Sequence, residues 1–400
     1  MKPNVLHIID SFERGGTESQ MVQLVRMLHQ CGRYRVRVAC LSREGVLRPE
    51  VERLGLGDIP EYPLTSLYDL NFVAQAYRFA RLLRELRVDV LHAHGLYTNV
   101  FGVAAAALAR VPARIASRRE TGGLRNRARR WGEAQSFRLA HAVVANAEAV
   151  RRDLLAEGVP ETKVVTIHNG LDLSRVEPTQ GLGRAERLAA AGLPAAARGR
   201  RLVTIVANMR HPVKDHPTFL RAASRVRAEV PEAAFVLAGE GGLVGELKEL
   251  AAGLGLGPED VFFPGRCERV AELLAASEVC VLSSKAEGFS NSILEYMAAA
   301  RPVVVTDVGG AREAVDDGET GYVVPPGDDR RMAEALVALL GDTGRAGAMG
   351  ERGRRAVEGR FSAEAQLAST EALYARLLAE AGRAPRAAEG VRTRRASLKT

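Results

Sequence analysis

Short runs rich in β-branched residues alternate with longer segments of helical period along almost the whole chain. The strand-like runs are residues 5–9, 36–41, 88–92, 114–117, 142–145 and 164–167, then 202–207, 234–238, 261–263, 279–282, 302–306 and 321–324. Helical periodicity falls between them, most clearly at 17–30, 70–86, 148–157, 217–230 and 269–276. This alternation predicts parallel sheets covered by helices on both faces. The unbroken apolar run at 303–305 suits a central strand buried on both sides. The pattern stops once. Residues 173–200 carry Pro178, Gly181, Gly183 and Pro194 but no strand signal. We read 176–200 as a linker with one helix near 184–191, dividing the chain into units at 1–175 and 201–360. A stripe of Leu367, Leu373, Leu377 and Leu378 predicts a last helix within 361–382. The tail, 383–400, lacks apolar periodicity and is expected to be disordered. Two doubly wound units facing one another would set strand C-termini on either side of a cleft, where such sheets bind ligands.

A length of 400 residues suits two domains, and 39 Gly with 17 Pro is too few for a low-complexity chain. The net charge is +8, and two segments account for it. Residues 118–138 hold seven Arg against Glu120 and Glu133, and 383–400 hold five Arg and Lys399 against Glu389. The rest is near neutral. Aromatics are only 5% and no RNA-binding motif accompanies the arginines, which disfavours a nucleic-acid binder. Cys31, Cys40, Cys267 and Cys280 are scattered without zinc spacing and suit a reducing cytoplasm. The opening residues read as a strand rather than a signal-peptide core. No window of about 18 apolar residues could span a membrane. A cytoplasmic protein is expected, touching the inner face of a membrane at most peripherally.

Three stretches carry candidate chemistry. Gly15 and Gly16 join the first strand to a helix, where Thr17 and Gln20 have capping-box spacing. Paired glycines let a ligand approach, and the helix start offers N–H groups to an anion; a purely structural turn fits the same residues. The spacing is not GxGxxG, which disfavours a dinucleotide oxidoreductase. Arg210 and Lys214 follow the first strand of the second unit. Two such cations suit a diphosphate, Arg bidentately and Lys as a point charge, or else merely line a solvated loop. The strongest stretch is 279–315, where a buried strand leads to Glu287-Gly-Phe-Ser and a helix starting near Ser292. With Glu287 in the loop and Glu295 in the first turn, both carboxylates reach one ligand. Alternatively, Ser292 and Glu295 form a capping box. Amides at Phe289, Ser290, Asn291 and Gly309–Gly310 would add anion donors. His92 and His94 share one strand face, with His92 expected to be hydrogen-bonded and His94 at the cleft. No third ligand or DxD motif accompanies them, so no metal is expected. His168, Asn169 and Gly170 read as a turn at the hinge.

Taken together, GG-T-E near the start, VTIHNGLD at 165–172, Arg210 with Lys214, AGEGG at 238–242, FFPGR at 262–266 and E-x7-E at 287–295 resemble retaining glycosyltransferase family 4. The resemblance covers about residues 4–380. It implies the GT-B fold, an α/β architecture of two doubly wound, parallel-sheet Rossmann-like domains facing a central cleft. It also implies that Arg210 and Lys214 hold the diphosphate of a UDP- or GDP-sugar, that Glu287 touches donor-sugar hydroxyls, and that Glu295 binds the ribose. Backbone at Arg266 and Cys267 would face the base, and the Gly15–Gly16 loop would close over the phosphates. The last helix would cross back to the first domain. Many relatives place a His after the strand equivalent to 114–117, whereas Arg119 stands here. Arg118, Arg119, Glu120 and His94 are accordingly candidates for the acceptor side. The implied reaction is sugar transfer to a saccharide or lipid-linked acceptor in cell-surface polysaccharide synthesis, without a metal or other cofactor. The alternative enzyme class is a nucleotide-sugar epimerase on the same fold. The basic segment 118–138 and the tail are candidate contacts for an anionic membrane.

Overall fold

The computed structural model describes residues 2–121 and 127–382, without the side chains of 127–129. The tail from 383 and Arg125 of the basic segment lie outside the described residues. Each apolar run forms a strand, with ends shifted by no more than two residues. These are β1 (Asn4–Ile9), β2 (Arg35–Cys40), β3 (Val90–Ala93), β4 (Ala113–Arg118), β5 (Ala142–Ala145) and β6 (Val164–Thr166). The second series is β7 (Arg201–Val206), β8 (Ala233–Ala238), β9 (Val261–Gly265), β10 (Val279–Leu282), β11 (Val303–Thr306) and β12 (Gly321–Val324).

They build two six-stranded sheets, ordered β2-β1-β3-β4-β5-β6 and β12-β11-β10-β7-β8-β9. All the pairings are parallel. Strands β3, β10 and β11 are buried at every position, as helices on both faces require. In each sheet the winding direction reverses, between β1 and β3 in the first and between β7 and β10 in the second. Connections leave in opposite directions at these points, and a crevice opens at the strand C-termini.

Two expectations change in detail. The first long helix starts at Gly16 with Gly15 as its N-cap and no side-chain cap. The Thr17–Gln20 capping box does not form, because Gln20 is buried and used across the molecule. Its amide donates to the Gly170 carbonyl at 2.9 Å, and its Oε1 accepts from Gln366 at 2.9 Å. The segment read as a linker is not a free tether. Helix Arg184–Ala190 packs on the second unit, with Leu188 buried among Leu202, Val236 and Leu273.

The chain leaves the second unit through helix Thr343–Arg360 and crosses back as Ala363–Glu380. Leu373, Leu377 and Leu378 of that last helix join the core formed with Val5, Ile9 and Val90. The Tyr374 hydroxyl lies 2.8 Å from Nδ1 of His92. At the crossing, Leu171 N donates to Phe361 O (2.9 Å) and Ala363 N to Leu171 O (3.0 Å). His168, Phe289 and Phe361 cluster with ring centroids 5.0–5.4 Å apart. Three separate segments therefore meet at one seam.

Gly170 is a tight point of that seam. A Cβ there would stand 2.7 Å from the Ser362 carbonyl and 2.8 Å from the Ala363 Cα. Backbone on the other side cannot rotate away. Gly170→Ala is expected to cost about 1–3 kcal/mol, the usual scale for overpacking, measured by denaturant unfolding.

Candidate functional site

The two sheet edges enclose a cleft of about 690 Å³. Its second-unit wall comes from the loops after β7 and β10, the strands flanking the reversal. Lys214 leaves the first loop and Glu287 the second, and they meet with Nζ 2.6 Å from Oε1. Their side chains are only 20% and 15% exposed, so the pair is partly withdrawn from water. Ser284 also donates to Glu287 Oε1, at 2.6 Å. The loop is held in place around them. Ser283 Oγ donates to the Lys214 carbonyl (2.8 Å) and Lys285 N to Val213 O (2.8 Å). Asp215 adopts a left-handed φ of 47° directly after Lys214, a conformation that Asp tolerates better than most residues. It ends the loop and starts helix His216–Glu229. The glycines of 238–242 serve close approach: a Cβ on Gly241 would lie 2.2 Å from the Met209 backbone.

Arg210 reaches Glu240 at 3.2 Å and, across the cleft, Glu13 at 3.5 Å. Glu295 is half-buried, with its carboxyl pushed up by burial and pulled back by Arg175. It does not cap its helix. Helix Asn291–Ala298 has Ser290 at its N-cap, and Ser292 Oγ donates instead to the Val206 carbonyl at 3.1 Å. This shift moves Glu295 beyond the first turn and leaves its carboxyl lining the cleft. Phe289, Ser290 and Asn291 line it at the helix start, as do Arg266 and Cys267 from the end of β9. Gly310 does not supply an anion donor, because its N–H is spent on the Gly288 carbonyl at 2.7 Å.

Gly15, Gly16, Arg119 and Glu120 form the opposite wall. Arg119 donates to Asn169 Oδ1 at 2.8 Å. Asn169 in turn donates to the Phe289 carbonyl (3.0 Å) and Asn291 Oδ1 (2.8 Å), and Asn291 donates to Gly16 O (3.3 Å). One hinge asparagine thereby couples both walls. Burial lowers Arg119 to about 10, with Glu18 opposing, so it stays cationic at neutral pH. Asn146, Asn169, Ser284 and Arg175 were not singled out as site residues in the sequence. The Asn169 turn was legible; its partners, more than a hundred residues away, were not.

Two acceptor-side candidates are elsewhere. Arg118 is buried, its guanidinium 2.6 Å from Glu133 and 2.8 Å from Glu157. It points into the first unit, since alternate residues of a strand face opposite sides, and it is no part of a surface patch. His94 is buried behind the cleft, its Nε2 2.8 Å from Nδ1 of His7. His7, His92 and His94 bring ligand nitrogens within 4.8 Å of one another, a cluster that spacing alone did not reveal. Both His92 nitrogens are engaged, by Tyr374 at 2.8 Å and Ser117 at 2.9 Å. Burial first, then neighbouring charge including Arg119, drives all three imidazoles down, His7 to about 3. The His92 nitrogens are both committed and the Arg119 guanidinium adds positive charge nearby, whereas His94 Nδ1 has no hydrogen-bond partner among the described residues.

Two family models match the chain: "Glycosyltransferase Family 4" over residues 14–175 and "Glycosyl transferases group 1" over 200–342. D-inositol 3-phosphate glycosyltransferase of Nocardia farcinica is 34% identical over 233 residues, 56% of this chain and 50% of the relative. The Kineococcus radiotolerans enzyme of that name is 34% identical over 280 residues, 64% of this chain and 62% of its own. N-acetyl-alpha-D-glucosaminyl L-malate synthase of Bacillus anthracis is 34% identical over 162 residues, 40% and 42% of the two chains. The matched segments thus span less than two thirds of these relatives. Among solved structures, Anabaena HepE in complex with UDP and glucose superposes with a TM-score of 0.81 at 20% identity, covering 93% of this chain and 99% of that one. Thermosynechococcus elongatus sucrose-phosphate synthase gives 0.75 at 20% identity, covering 94% and 100%. At that identity the likeness carries the fold.

Glu313 pins the two units together beside the cleft. Its carboxylate accepts from Glu148 N (2.7 Å) and Ala149 N (2.9 Å), at a helix start in the first unit, and from His168 (2.8 Å). Burial raises this carboxyl, but hydrogen bonds from His168, Glu148 and Ala149 outweigh it and leave a net lowering. A lowered carboxylate stabilises the fold above its unfolded value and loses that contribution as pH falls through the folded one. Glu313→Gln is therefore expected to lose less melting temperature than wild type as pH falls from about 5 to about 3, measured by calorimetry.

Proposed function

The chain belongs to the family-4 glycosyltransferases with the GT-B fold, and from that premise we propose that it is a retaining transferase. It moves a sugar from a nucleotide-diphosphate sugar to a saccharide or lipid-linked acceptor. The observation that carries this reading is the Lys214–Glu287 pair, 2.6 Å apart at the reversal between β7 and β10. One partner suits a phosphate and the other a sugar hydroxyl.

In this reading Arg210 and Lys214 neutralise the departing diphosphate and Glu287 orients the donor sugar. Glu295 receives the ribose, and the backbone of Arg266 and Cys267 faces the base. The Gly15–Gly16 turn closes from the other wall. Retention without an enzyme nucleophile requires the acceptor to attack on the face the diphosphate leaves. The developing oxocarbenium ion and the diphosphate then need fixed charges more than proton transfer. Lys214 and Arg210 supply cationic charge that a metal would otherwise provide, so the reading includes no metal or other cofactor.

HepE was solved with UDP and with UDP-glucose, which puts UDP-sugars first among the donors to test. Arg119 and Glu120 remain as acceptor-side residues; Arg118 and His94 do not, because both are buried away from the cleft. Cell-surface polysaccharide synthesis at the cytoplasmic face of a membrane completes the proposal. Among the described residues no helix is long and apolar enough to cross a membrane.

Lys214→Ala and Glu287→Ala are each expected to lower kcat/KM by about a hundredfold or more, the scale of one lost electrostatic contact. Because the two side chains touch, the double variant should lose less than the product of the single losses. Unchanged turnover by a correctly folded Glu287→Ala protein would overturn the assignment. In a thermal-shift panel of UDP-, GDP- and ADP-sugars, the UDP-sugars should raise the melting temperature most through mass action. Donor binding and turnover should persist in a chelator.

A further inference from the structure

Helix Leu70–Glu85 is apolar on two faces. Ala76, Phe79, Ala80 and Leu83 enter the core. On the outer side Leu70, Val73, Ala74 and Tyr77, spaced by three and four residues, are all exposed. Leu70 is 86% exposed and Tyr77 61%. Core packing explains the first stripe and leaves the second facing solvent. The outer side of helix Arg127–Leu139 repeats the theme, with Trp131 64% exposed beside Ala134, Arg130 and Arg138. Tyr68 joins the two: its hydroxyl lies 3.8 Å from where a Cβ on Gly132 would stand.

Position matters as much as composition. Every strand of the first sheet is parallel, so the helices running back start at the strands' C-terminal edge, which is the edge of the cleft. Two contacts place the other helix ends at the far edge. Asn4 Nδ2 donates to the Leu86 carbonyl at 3.2 Å, and Arg114 Nε to the Leu139 carbonyl at 2.8 Å. Tyr68, Leu70 and Trp131 therefore stand on the cleft-side rim of the first unit. Tyr97, at the start of helix Leu96–Leu108, is also exposed there.

We propose that this face docks the chain on an anionic lipid bilayer. The choice over a protein partner or a second copy rests on the residue types and their charge. Tyr and Trp have an apolar body and a polar tip suited to the headgroup boundary. Leu70 and Val73 supply side chains to immerse, and apolar immersion combined with basic attraction is what interfacial binding needs. The positive rim is Arg78, Arg130 and Arg138; Arg81 shares its charge with Glu85 at 3.3 Å. This rim also corrects the sequence-based expectation for 118–138. Among its described arginines, Arg118 is internal, Arg119 lines the cleft, and the exposed Arg130 and Arg138 border an aromatic centre. Docking in this orientation would bring the N-terminal wall, with Arg119 and Glu120, toward an acceptor carried by the membrane. Its purpose rests on the transferase reading, but the lipid contact is measured without any sugar.

The test is co-sedimentation of the full chain with vesicles of phosphatidylcholine alone or with about 30% phosphatidylglycerol, the anionic lipid supplying the charge the rim recognises. Wild type should bind the anionic vesicles at least about tenfold more tightly. Leu70→Gln, Val73→Gln, Tyr77→Ser and Trp131→Ser combined should lose about tenfold of that affinity. The tail is unchanged in this variant, so the difference reports the face itself. Arg130→Glu with Arg138→Glu should weaken only binding to the anionic vesicles. Absence of vesicle binding by wild type, or equal binding by the apolar variant, would overturn the proposal. The UDP-sugar thermal shift of each variant should match wild type. A missing shift in wild type would instead count against the transferase reading.

Discussion

Parallel pairing in both sheets is the constraint on which the molecule depends. A parallel strand must be followed by a return crossover, so all strand C-termini, and the starts of the helices that follow, gather at one edge of each sheet. Loops at that edge can be long and polar because they are relieved of pairing. The other edge stays short and structural. When two such sheets face each other, the polar edges meet and a cleft with oriented N–H groups and charged loops results. Lys214 and Glu287 are 73 residues apart in the chain yet 2.6 Å apart in space, because β7 and β10 are neighbours across the winding reversal.

A second layer of organisation joins the units. The seam at His168–Leu171 has an aromatic cluster on one side and a hydrogen-bonded polar chain on the other. Asn169 is its centre, accepting from Arg119 in one wall and donating to Phe289 and Asn291 in the other. Glu313 adds a carboxylate from the second unit at a helix start in the first. These polar, directional contacts lie beside an apolar cluster that also spans the units, with Ala147 and Leu171 on one side and Phe289 and Phe361 on the other. Such an interface can rearrange without unfolding its domains, which suits a cleft that must admit and release a large donor.

Charge follows the same economy of position. Residues 118–138 carry a net positive sequence charge, but Arg118 is neutralised internally by Glu133 and Glu157. Arg119, one position along, faces the opposite way and lines the cleft. Adjacent arginines thus have unrelated tasks, one structural and one at the site. Only the pleat of β4 decides which is which.

Periodicity alone determined the twelve strands, the division into two units and the last helix, because burial on both faces leaves an unambiguous apolar run. It also brought the cleft residues Arg210, Lys214, Glu287 and Glu295 into view, since they follow buried strands in Gly- and Ser-rich loops. Local spacing was ambiguous wherever one side chain could serve either its own helix or a distant group. Gln20 and Glu295 both have the spacing of capping residues; the fold turned Gln20 to the Gly170 carbonyl and Glu295 to the cleft. His94 and Arg118 have the composition of site residues but lie behind the cleft wall. The coupling of Arg119, Asn169 and Asn291, the histidine cluster and the second apolar face of helix Leu70–Glu85 were decided only by tertiary structure. Each depends on which side of a strand or helix meets a segment far away in the chain, and a local pattern records the side but not the segment.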